Sequence, residues 1–457
     1  MIPGPSSFPT RARFFLLTVL TVIAALAPSS RINVSTLTAR AQSPLVDRPR
    51  GEEMLKQIKQ DLKDYYYDPT FHGINIDARF KEAERQMKKA TSTAQIFGII
   101  AQVLLDLNDS HTRFTPPGLV DTIDYGWRMQ MIGDRCYVVA IKKGSDAAEK
   151  GLKLGDEIYS IDGFAPERDS FWKLYYSYYV LAPAVRLVLE IRDPDQTLRR
   201  IEVTPKQAKI EKIFVDPDEV HLPLYREIGD DVIVCKLREF YLSDKNVDEM
   251  MKKIGPHKAL ILDLRGNHGG SAAALQRLLG HFFDHDVKVS DAKGRKESRA
   301  EIAKTRGDRA FKGRLVVLVD SESKSASEMF ARVIQLEKRG TVIGDRTLGR
   351  VMGSYSFGHE LGYLGFLHSG GRSPSSFYGV SVTVVDIIMS DGKRLENTGV
   401  LPDEIALPTG SDLAARRDPV LARAAALMGI ELDPQKAGTL FPPDDETEVT
   451  NKEKKAK

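Results

Sequence analysis

The sequence has 457 residues, 42% of them hydrophobic and 28% charged, so it is long enough for two or three domains with buried cores. Its 66 basic and 63 acidic residues leave a net charge of only +3, which excludes the strongly basic composition typical of nucleic-acid-binding proteins. Cys136 and Cys235 fall in segments that we assign to different domains, so free thiols are expected. No metal or nucleotide motif occurs, and we expect no metal site and no cofactor.

The N-terminus has the composition of an export signal. Arg11 and Arg13 precede an apolar run over residues 14–27, which is shorter than the roughly 20 residues of a membrane span. Small residues offer cleavage sites after Ala27 and after Ala41. We therefore assign residues 1–41 to a signal peptide and leader, and we expect the rest to be periplasmic or extracellular. An uncleaved membrane anchor is the alternative.

Amphipathic patterns predict a small helical region over residues 42–119. Leu55, Ile58 and Leu62 share one helical face, and a second apolar face recurs over residues 96–107. The region ends in the turn-rich loop "NDSHTRFTPPG", which carries a histidine.

Residues 120–205 change to a β-rich pattern. "CYVVAI" and "RLVLEIRD" predict strands, and "GLKLGDEIYSIDG" between them is similar to PDZ modules, in which a glycine-containing loop binds the C-terminal carboxylate of a peptide. By this resemblance Tyr125, Gly126, Trp127 and Arg128 form the peptide-binding loop, where the glycine allows close approach and the arginine supplies charge. The alternative is a PDZ-like fold that serves only as a spacer or gate.

Residues 206–430 predict an α/β domain. The apolar strands "VIVCKL", "ALILDL", "LVVLVD" and "TVIG" alternate with amphipathic helices, which favours parallel strands covered on both faces. Residues 431–457 are predicted to be a disordered charged tail, because "PPDDETEVTNKEKKAK" lacks apolar periodicity.

Two strand-to-helix junctions of this domain carry residues suited to acyl transfer. "SASE" begins with Ser325 at a helix start, where the helix dipole and free N–H groups stabilise negative charge. The same letters match the S-x-x-E capping box, so a purely structural role also explains them. "LILDLRGNHGGS" places Gly269 and Gly270 in a loop whose backbone can approach a ligand, and a plain glycine turn is its alternative.

In order, "DLRGNHGG", "DSESKSASEMFA", "VIGDRTLG" and "NTGVLPD" resemble the C-terminal processing peptidases and their tricorn-core relatives, over about residues 50–408. The resemblance implies a serine endopeptidase with a ClpP/crotonase-like α/β core, an N-terminal helical region and an inserted PDZ-like domain. It implies Ser325 as the nucleophile. The oxyanion donors would be the N–H of Gly269 or Gly270 and the N–H of Ala326.

The proton acceptor departs from the lysine type of this family. The bacterial tail-cutting members carry a lysine in a "TFGKG" motif 25 residues beyond the serine, and that position is Arg350 here, which cannot accept a proton. The tricorn-type branch is a closer match. It implies His111 of "LNDSHTRF" as the base and Glu396 of "LENTGVLPD" as its supporting carboxylate, with Ser110 as a further hydrogen-bonding partner.

Several side chains compete for these roles. His268 beside the glycines is a rival base, Lys324 is the lysine next to the nucleophile, and Asp109 and Asp386 are substitutes for the supporting carboxylate. The leading hypothesis is an exported endopeptidase that acts on unfolded or C-terminally recognised polypeptides and binds no nucleic acid. A catalytically inactive peptide-binding scaffold is the second hypothesis, and a crotonase-like acyl-CoA enzyme is the third. The sequence leaves the oligomeric state open.

Overall fold

The chain is described here by a computed structural model. It covers residues 46–117, 121–181, 184–193, 196–209, 222–360 and 377–441. The predicted signal or anchor segment and residues 442–457 lie outside these ranges. Among the residues covered, no helix combines the length and the apolar character that crossing a membrane requires.

The helical region consists of three helices that pack onto the α/β core. They are α1 (Arg48–Tyr65), α2 (Ile76–Met87) and α3 (Thr93–Leu105), with a 3-10 turn at Phe71–Gly73. The predicted face of α1 is confirmed, because Leu55, Ile58 and Leu62 are buried. The same apolar cluster includes Val380 and Val382 of a long core strand. This packing fixes the loop after α3, which carries the predicted base, against the core.

The β-rich segment forms an antiparallel five-stranded sheet in the order β3-β4-β5-β6-β7, beside a two-stranded β2-β8 pair. The elements, beginning with the strand after the histidine loop, are β1 (Arg113–Thr115), β2 (Asp121–Asp124), β3 (Trp127–Ile132), β4 (Arg135–Ile141), α4 (Asp146–Glu149), β5 (Glu157–Ile161), α5 (Phe171–Tyr175), a π-helical turn (Tyr176–Leu181), β6 (Leu187–Arg192), β7 (Leu198–Val203) and β8 (Lys206–Lys209). The strands predicted from "CYVVAI" and "RLVLEIRD" correspond to β4 and β6.

The predicted α/β core is built on a six-stranded sheet in the order β18-β15-β14-β11-β10-β9. Its strands run parallel except β9, which is antiparallel to β10. Every residue of β11 is buried, as a strand covered on both faces requires. The elements of the core are β9 (Leu224–Ile228), β10 (Val232–Lys236), α6 (Asp244–Ile254), β11 (Ala259–Asp263), α7 (Ala272–Leu279), β12 (Val287–Gly294), β13 (Ser298–Ala303), β14 (Arg314–Val319), α8 (Ala326–Leu336), β15 (Thr341–Gly344), β16 (Met352–Glu360), β17 (Phe377–Met389), β18 (Glu404–Ile405), α9 (Gly410–Ala414), α10 (Pro419–Leu427) and α11 (Pro434–Ala437), with a 3-10 turn at Gly307–Arg309.

A second, antiparallel sheet was not predicted from the sequence. It has the order β1-β17-β12-β13, and β16 also pairs with β17. The short strand β1 follows the histidine loop directly, and its Phe114 lies opposite Val380 of β17. This strand pairing is a second contact between the N-terminal region and the core, and it begins two residues after the predicted base, His111.

The predicted start of the disordered tail, residue 431, is too early. Helix α11 lies beyond it, and Ala437 is buried in the apolar cluster that covers the outer face of the six-stranded sheet, with Leu440 and Phe441 packed against that cluster. Residues 434–441 are therefore ordered, because their apolar side chains pack against this cluster. The expectation of free thiols is confirmed, since Cys136 and Cys235 are both buried and unpaired.

Candidate active site

Ser325 lies in a strained turn between β14 and α8. Its φ of 57° and ψ of −119° are rare for a residue with a side chain, and such a conformation costs about 1–3 kcal/mol. A sharp strand-to-helix turn of this kind also exposes the nucleophile of G-x-S-x-G hydrolases. The turn places Ser325 at the N-terminus of α8, where negative charge is stabilised.

The other serines of this turn have structural roles. Ser321 donates its hydroxyl proton to the carbonyl oxygen of Met131, and Ser323 donates to that of Leu264 at 2.8 Å. Ser327 donates to the carbonyl oxygens of Lys324 in the same turn and of Asn267 in the glycine loop. The predicted capping box is present, and in it the Glu328 carboxylate accepts the N–H of Ser325 at 3.0 Å.

The glycine loop after β11 touches the nucleophile turn. Gly269 has a φ of +87°, and a Cβ there would lie 2.7 Å from the Cβ of Ser325 and 3.1 Å from the nitrogen of Ala326. Its own N–H donates to Asn267 Oδ1 at 2.8 Å, so it is already engaged. The N–H of Gly270 has no acceptor among the described residues, and that of Ala326 opens α8 and has no intrahelical partner. The two candidate oxyanion donors are therefore Gly270 and Ala326, and Gly269 keeps the space open.

Substituting this glycine tests the close approach. Gly269→Ala is expected to lower stability by about 1–3 kcal/mol and cleavage at least about 100-fold, because the methyl group would displace Ser325. Gly266→Ala in the same loop is the matched control. It has a similar φ of +69°, but the nearest atom to its Cβ would be 3.9 Å away, so only backbone strain of about 1 kcal/mol is expected. Urea unfolding and peptide cleavage measure both effects, and equal losses in the two variants would contradict the steric explanation.

His111, Ser110 and Glu396 form a chain of hydrogen bonds. The hydroxyl of Ser110 lies 2.8 Å from Nδ1 of His111 and donates to Oε2 of Glu396 at 3.1 Å. Because the hydroxyl proton points to the carboxylate, its oxygen accepts Nδ1–H, which leaves the lone pair on Nε2 of the ring. Glu396 also accepts the N–H of Ser110 at 2.7 Å. The structure thus brings all three predicted residues together, with the correction that Glu396 reaches the imidazole through Ser110 and not directly.

The two substitute carboxylates have other partners. Asp109 accepts the N–H groups of His111 and Thr112, at 3.0 and 2.6 Å, and also the hydroxyls of Tyr66 and Thr383. It therefore shapes the histidine loop. Asp386 is ion-paired with Arg394, at 2.8 Å. Neither carboxylate takes the place of Glu396.

Burial sets the protonation states of this chain. It lowers the pKa of His111 to about 4, and the positive charges of Arg113, Arg350 and Lys324 lower it further while Asp109 acts in the opposite direction. The imidazole is therefore neutral at pH 7 and can accept a proton. Burial also raises the pKa of Glu396 to about 7, against the hydrogen bonds that it accepts.

A second buried carboxylate joins the nucleophile to this chain. Glu328 accepts the N–H groups of Gly349 and Arg350, at 2.7 and 2.8 Å, besides that of Ser325. The next N–H along the chain, from Val351, donates to Glu396 at 2.8 Å. One turn thus holds the carboxylate tied to Ser325 and the carboxylate tied to the histidine. The sequence signalled Glu328 only as part of a capping box.

The rival bases are placed as follows. Arg350 stacks its guanidinium on the ring of Trp172, 4.4 Å from the ring centre, and carries no lone pair that could accept a proton. His268 is exposed in the glycine loop. Lys324 is half-buried, and burial together with the charges of Arg350 and Arg113 lowers its pKa to about 8. Lys324 is therefore the chemically serious rival to His111.

Three of the four predicted peptide-loop residues are used for packing. Tyr125 and Trp127 are buried in the core of the five-stranded sheet, and the N–H of Gly126 donates to Asp124 at 2.7 Å. Only Arg128 of the four has an exposed side chain. The sheet instead contacts the nucleophile turn through β3, whose residues include Met131, the acceptor of the Ser321 hydroxyl.

Comparison with known proteins identifies relatives of this site. Residues 231–406 match the sequence profile described as Peptidase family S41. The chain is 26% identical over 352 residues to the tail-specific protease of Haemophilus influenzae, a match that covers 71% of this chain and 47% of that protein. It is 23% identical over 415 residues to the carboxyl-terminal-processing protease of a Picosynechococcus species, covering 85% of this chain and 88% of the relative. The chain thus spans about half the length of the first relative and most of the second.

Among solved structures, the crystal structure of mature CPAF is similar, with a TM-score of 0.59 and 15% sequence identity over 80% of this chain and 94% of that chain. At this identity the likeness concerns the fold. Together the comparisons confirm the predicted resemblance to the C-terminal processing peptidases and the mixed α/β fold, and the names of the relatives support a serine-type peptidase.

Proposed function

From the match of residues 231–406 to Peptidase family S41, we propose that the chain hydrolyses peptide bonds with Ser325 as nucleophile and His111 as base. The observation that carries the proposal is the hydrogen-bonded chain from Glu396 through Ser110 to His111. A serine and a histidine oriented by a carboxylate are the recurring constellation of serine peptidases.

In the proposed reaction Ser325 Oγ attacks the carbonyl carbon of the scissile bond, and His111 Nε2 takes its proton. The oxygen of the tetrahedral intermediate accepts hydrogen bonds from the N–H groups of Gly270 and Ala326. The imidazolium then gives the proton to the leaving amine, and water repeats the sequence on the acyl-enzyme. The charge of Glu396, transmitted through the Ser110 hydroxyl, stabilises the imidazolium in each step.

The natural substrates in this proposal are unfolded polypeptides or polypeptides with accessible C-termini, met outside the cytoplasm. The names of the tail-specific and carboxyl-terminal-processing relatives support this substrate class. The PDZ-like sheet would guide such a chain toward the site. Its support is the contact of Gln130 with Asp320, at 2.8 Å, directly ahead of the nucleophile turn.

Covalent labelling tests the proposal. A fluorophosphonate probe is expected to label the wild-type chain on Ser325, and casein is expected to be cleaved; Ser325→Ala should abolish both. Ser290→Ala is the matched control, because the buried Ser290 hydroxyl has no hydrogen-bond partner among the described residues and its loss should change little. Absence of both labelling and cleavage, with peptide binding intact, would instead support the inactive scaffold.

A further inference from the structure

Three cationic residues belong to the segments that build the proposed site. Lys324 precedes Ser325, and its backbone is fixed by an N–H that donates to Asn267 O at 3.0 Å. The N–H of Arg350 shares the Glu328 carboxylate with that of Ser325, which places this arginine at the same turn. The third, Arg113, follows the proposed base by two residues and is exposed on the edge strand β1.

None of these three cations forms an ion pair with a carboxylate of the described residues. Arg350 also buries its Nη2 without any hydrogen-bond partner there. Arg265 shows the usual arrangement for a buried arginine in this chain, since it binds Asp263 and Asp418, each at 2.8 Å. An unpaired, partly buried cation costs folding free energy, which a ligand of opposite charge would offset.

The two buried carboxylates of the site are engaged by other groups. Glu328 receives backbone N–H groups and the Thr347 hydroxyl, and Glu396 receives the groups of Ser110 and Val351. Their hydrogen-bonding capacity is directed at the backbone of the site. Neither carboxylate forms an ion pair with Lys324, Arg350 or Arg113 within the described part of the chain.

The cations are also close enough to repel one another. Burial lowers the pKa of Lys324 to about 8, and the charges of Arg350 and Arg113 contribute to this shift, with Glu322 and Glu239 acting in the opposite direction. Burial likewise lowers the pKa of Arg350 to about 10, with Arg113 adding to the shift and Glu396 and Glu328 acting in the opposite direction. Glu396 accepts the N–H groups of Ser110 and of Val351, so the loop that leads into Arg113 lies beside the turn that carries Arg350.

We propose that Lys324, Arg350 and Arg113 bind a carboxylate of the substrate next to the scissile bond. This inference rests on the proposed function, because it takes the cleft at Ser325 as the place where the peptide is cut. The anionic groups of an ordinary polypeptide are the side chains of aspartate and glutamate and the C-terminal carboxylate. The planar fork of an arginine suits such a group, and a lysine beside it adds charge.

Four forms of one ten-residue peptide distinguish the two sources of the carboxylate. The residue beside the cut bond is Glu or Gln, and each version carries a free or an amidated C-terminus. The wild-type chain is expected to prefer a carboxylate-bearing form over its neutral counterpart by about tenfold or more in kcat/KM, and less at high salt. A Glu-over-Gln preference with amidated ends identifies the side chain, and a free-over-amidated preference in the Gln pair identifies the C-terminus.

Two variants assign the preference to the cations. Lys324→Gln and Arg350→Met are each expected to reduce the ratio severalfold toward one, whereas Arg350→Lys should retain most of it. Lys245→Gln removes an exposed charge on α6 and should leave the ratio unchanged. Equal kcat/KM for all four peptides in the wild-type chain would overturn the proposal, as would a preference that Lys324→Gln and Arg350→Met both retain.

Binding to the Ser325→Ala chain separates this proposal from the proposed function. Fluorescence anisotropy should show tighter binding of the carboxylate-bearing peptides, and the difference should shrink when Arg350→Met is added. Such binding by a chain whose wild type cuts no peptide would uphold the carboxylate site and refute the peptidase. Cleavage by the wild-type chain, without any carboxylate preference in binding, would uphold the peptidase and refute the carboxylate site.

Discussion

His111→Ala is expected to lower kcat/KM for an unfolded protein substrate by about 10⁴-fold or more, as much as Ser325→Ala, and combining the two should lower it no further. Members of one proton relay fail together, because the serine hydroxyl is a poor nucleophile once its base is gone. Initial rates of casein cleavage, with circular dichroism to verify folding, measure the effect.

The rival bases supply the controls for this prediction. His268→Ala should retain far more activity than His111→Ala, because its ring is exposed and makes no hydrogen bond to a carboxylate among the described residues. Arg350→Lys should not rescue His111→Ala. If Lys324 were the base, wild-type activity would rise as the pH passes about 8, where this lysine loses its proton, and His111→Ala would keep that rise. Substantial cleavage by His111→Ala would therefore move the base to Lys324.

The parallel core could be predicted because its strands are continuous apolar runs. All five residues of β11 are buried, so "ALILD" has no polar alternation that could be confused with a surface strand. The second sheet could not be predicted in the same way. The strand β1 has three residues, and its pairing with β17 joins parts of the chain that are far apart in sequence. Such a register depends on tertiary contacts, which local pattern does not encode.

The residues of the candidate site were predictable from motifs, but their connections were not. That Ser110 stands between His111 and Glu396 depends on where three side chains point after folding. The N–H of Gly269 was an equal candidate for the oxyanion site until the structure showed that Asn267 accepts it. Side-chain direction is set by packing, so the spacing of motifs in the sequence identifies the residues of a site but not which of them are hydrogen-bonded to each other.

The side-chain directions of the predicted peptide loop were likewise not predictable from the sequence. Tyr125 and Trp127 lie in a segment that resembles a binding loop, yet both side chains fill the core of the five-stranded sheet. An aromatic residue beside a glycine has the same letters whether it contacts a ligand or packs inward. The choice depends on the neighbouring strands, whose positions were unknown at the level of sequence.

The Ser110 hydroxyl is expected to contribute about 10²- to 10³-fold to kcat, with little effect on KM. Ser110→Ala removes the acceptor of His111 Nδ1–H and separates the imidazole from the charge of Glu396, so the ring loses both its orientation and the stabilisation of its protonated form. Ser110→Thr is the conservative control, since it keeps a hydroxyl at this position. A loss in Ser110→Ala that appears only in KM would indicate a role in substrate binding.

The pH profile distinguishes this relay from a merely structural role. Glu396 has a raised pKa of about 7, so its carboxylate is ionised above that pH and gains a proton below it. Wild-type activity should therefore be high above pH 7 and fall as the pH drops through 7, before His111 itself is protonated near pH 4. Glu396→Gln should be less active by about 10²-fold and should lack the inflection near pH 7, because its amide does not titrate. If wild type and Glu396→Gln showed the same inflection, the titrating group would be another one, and the charge of Glu396 would have no part in the proton transfer.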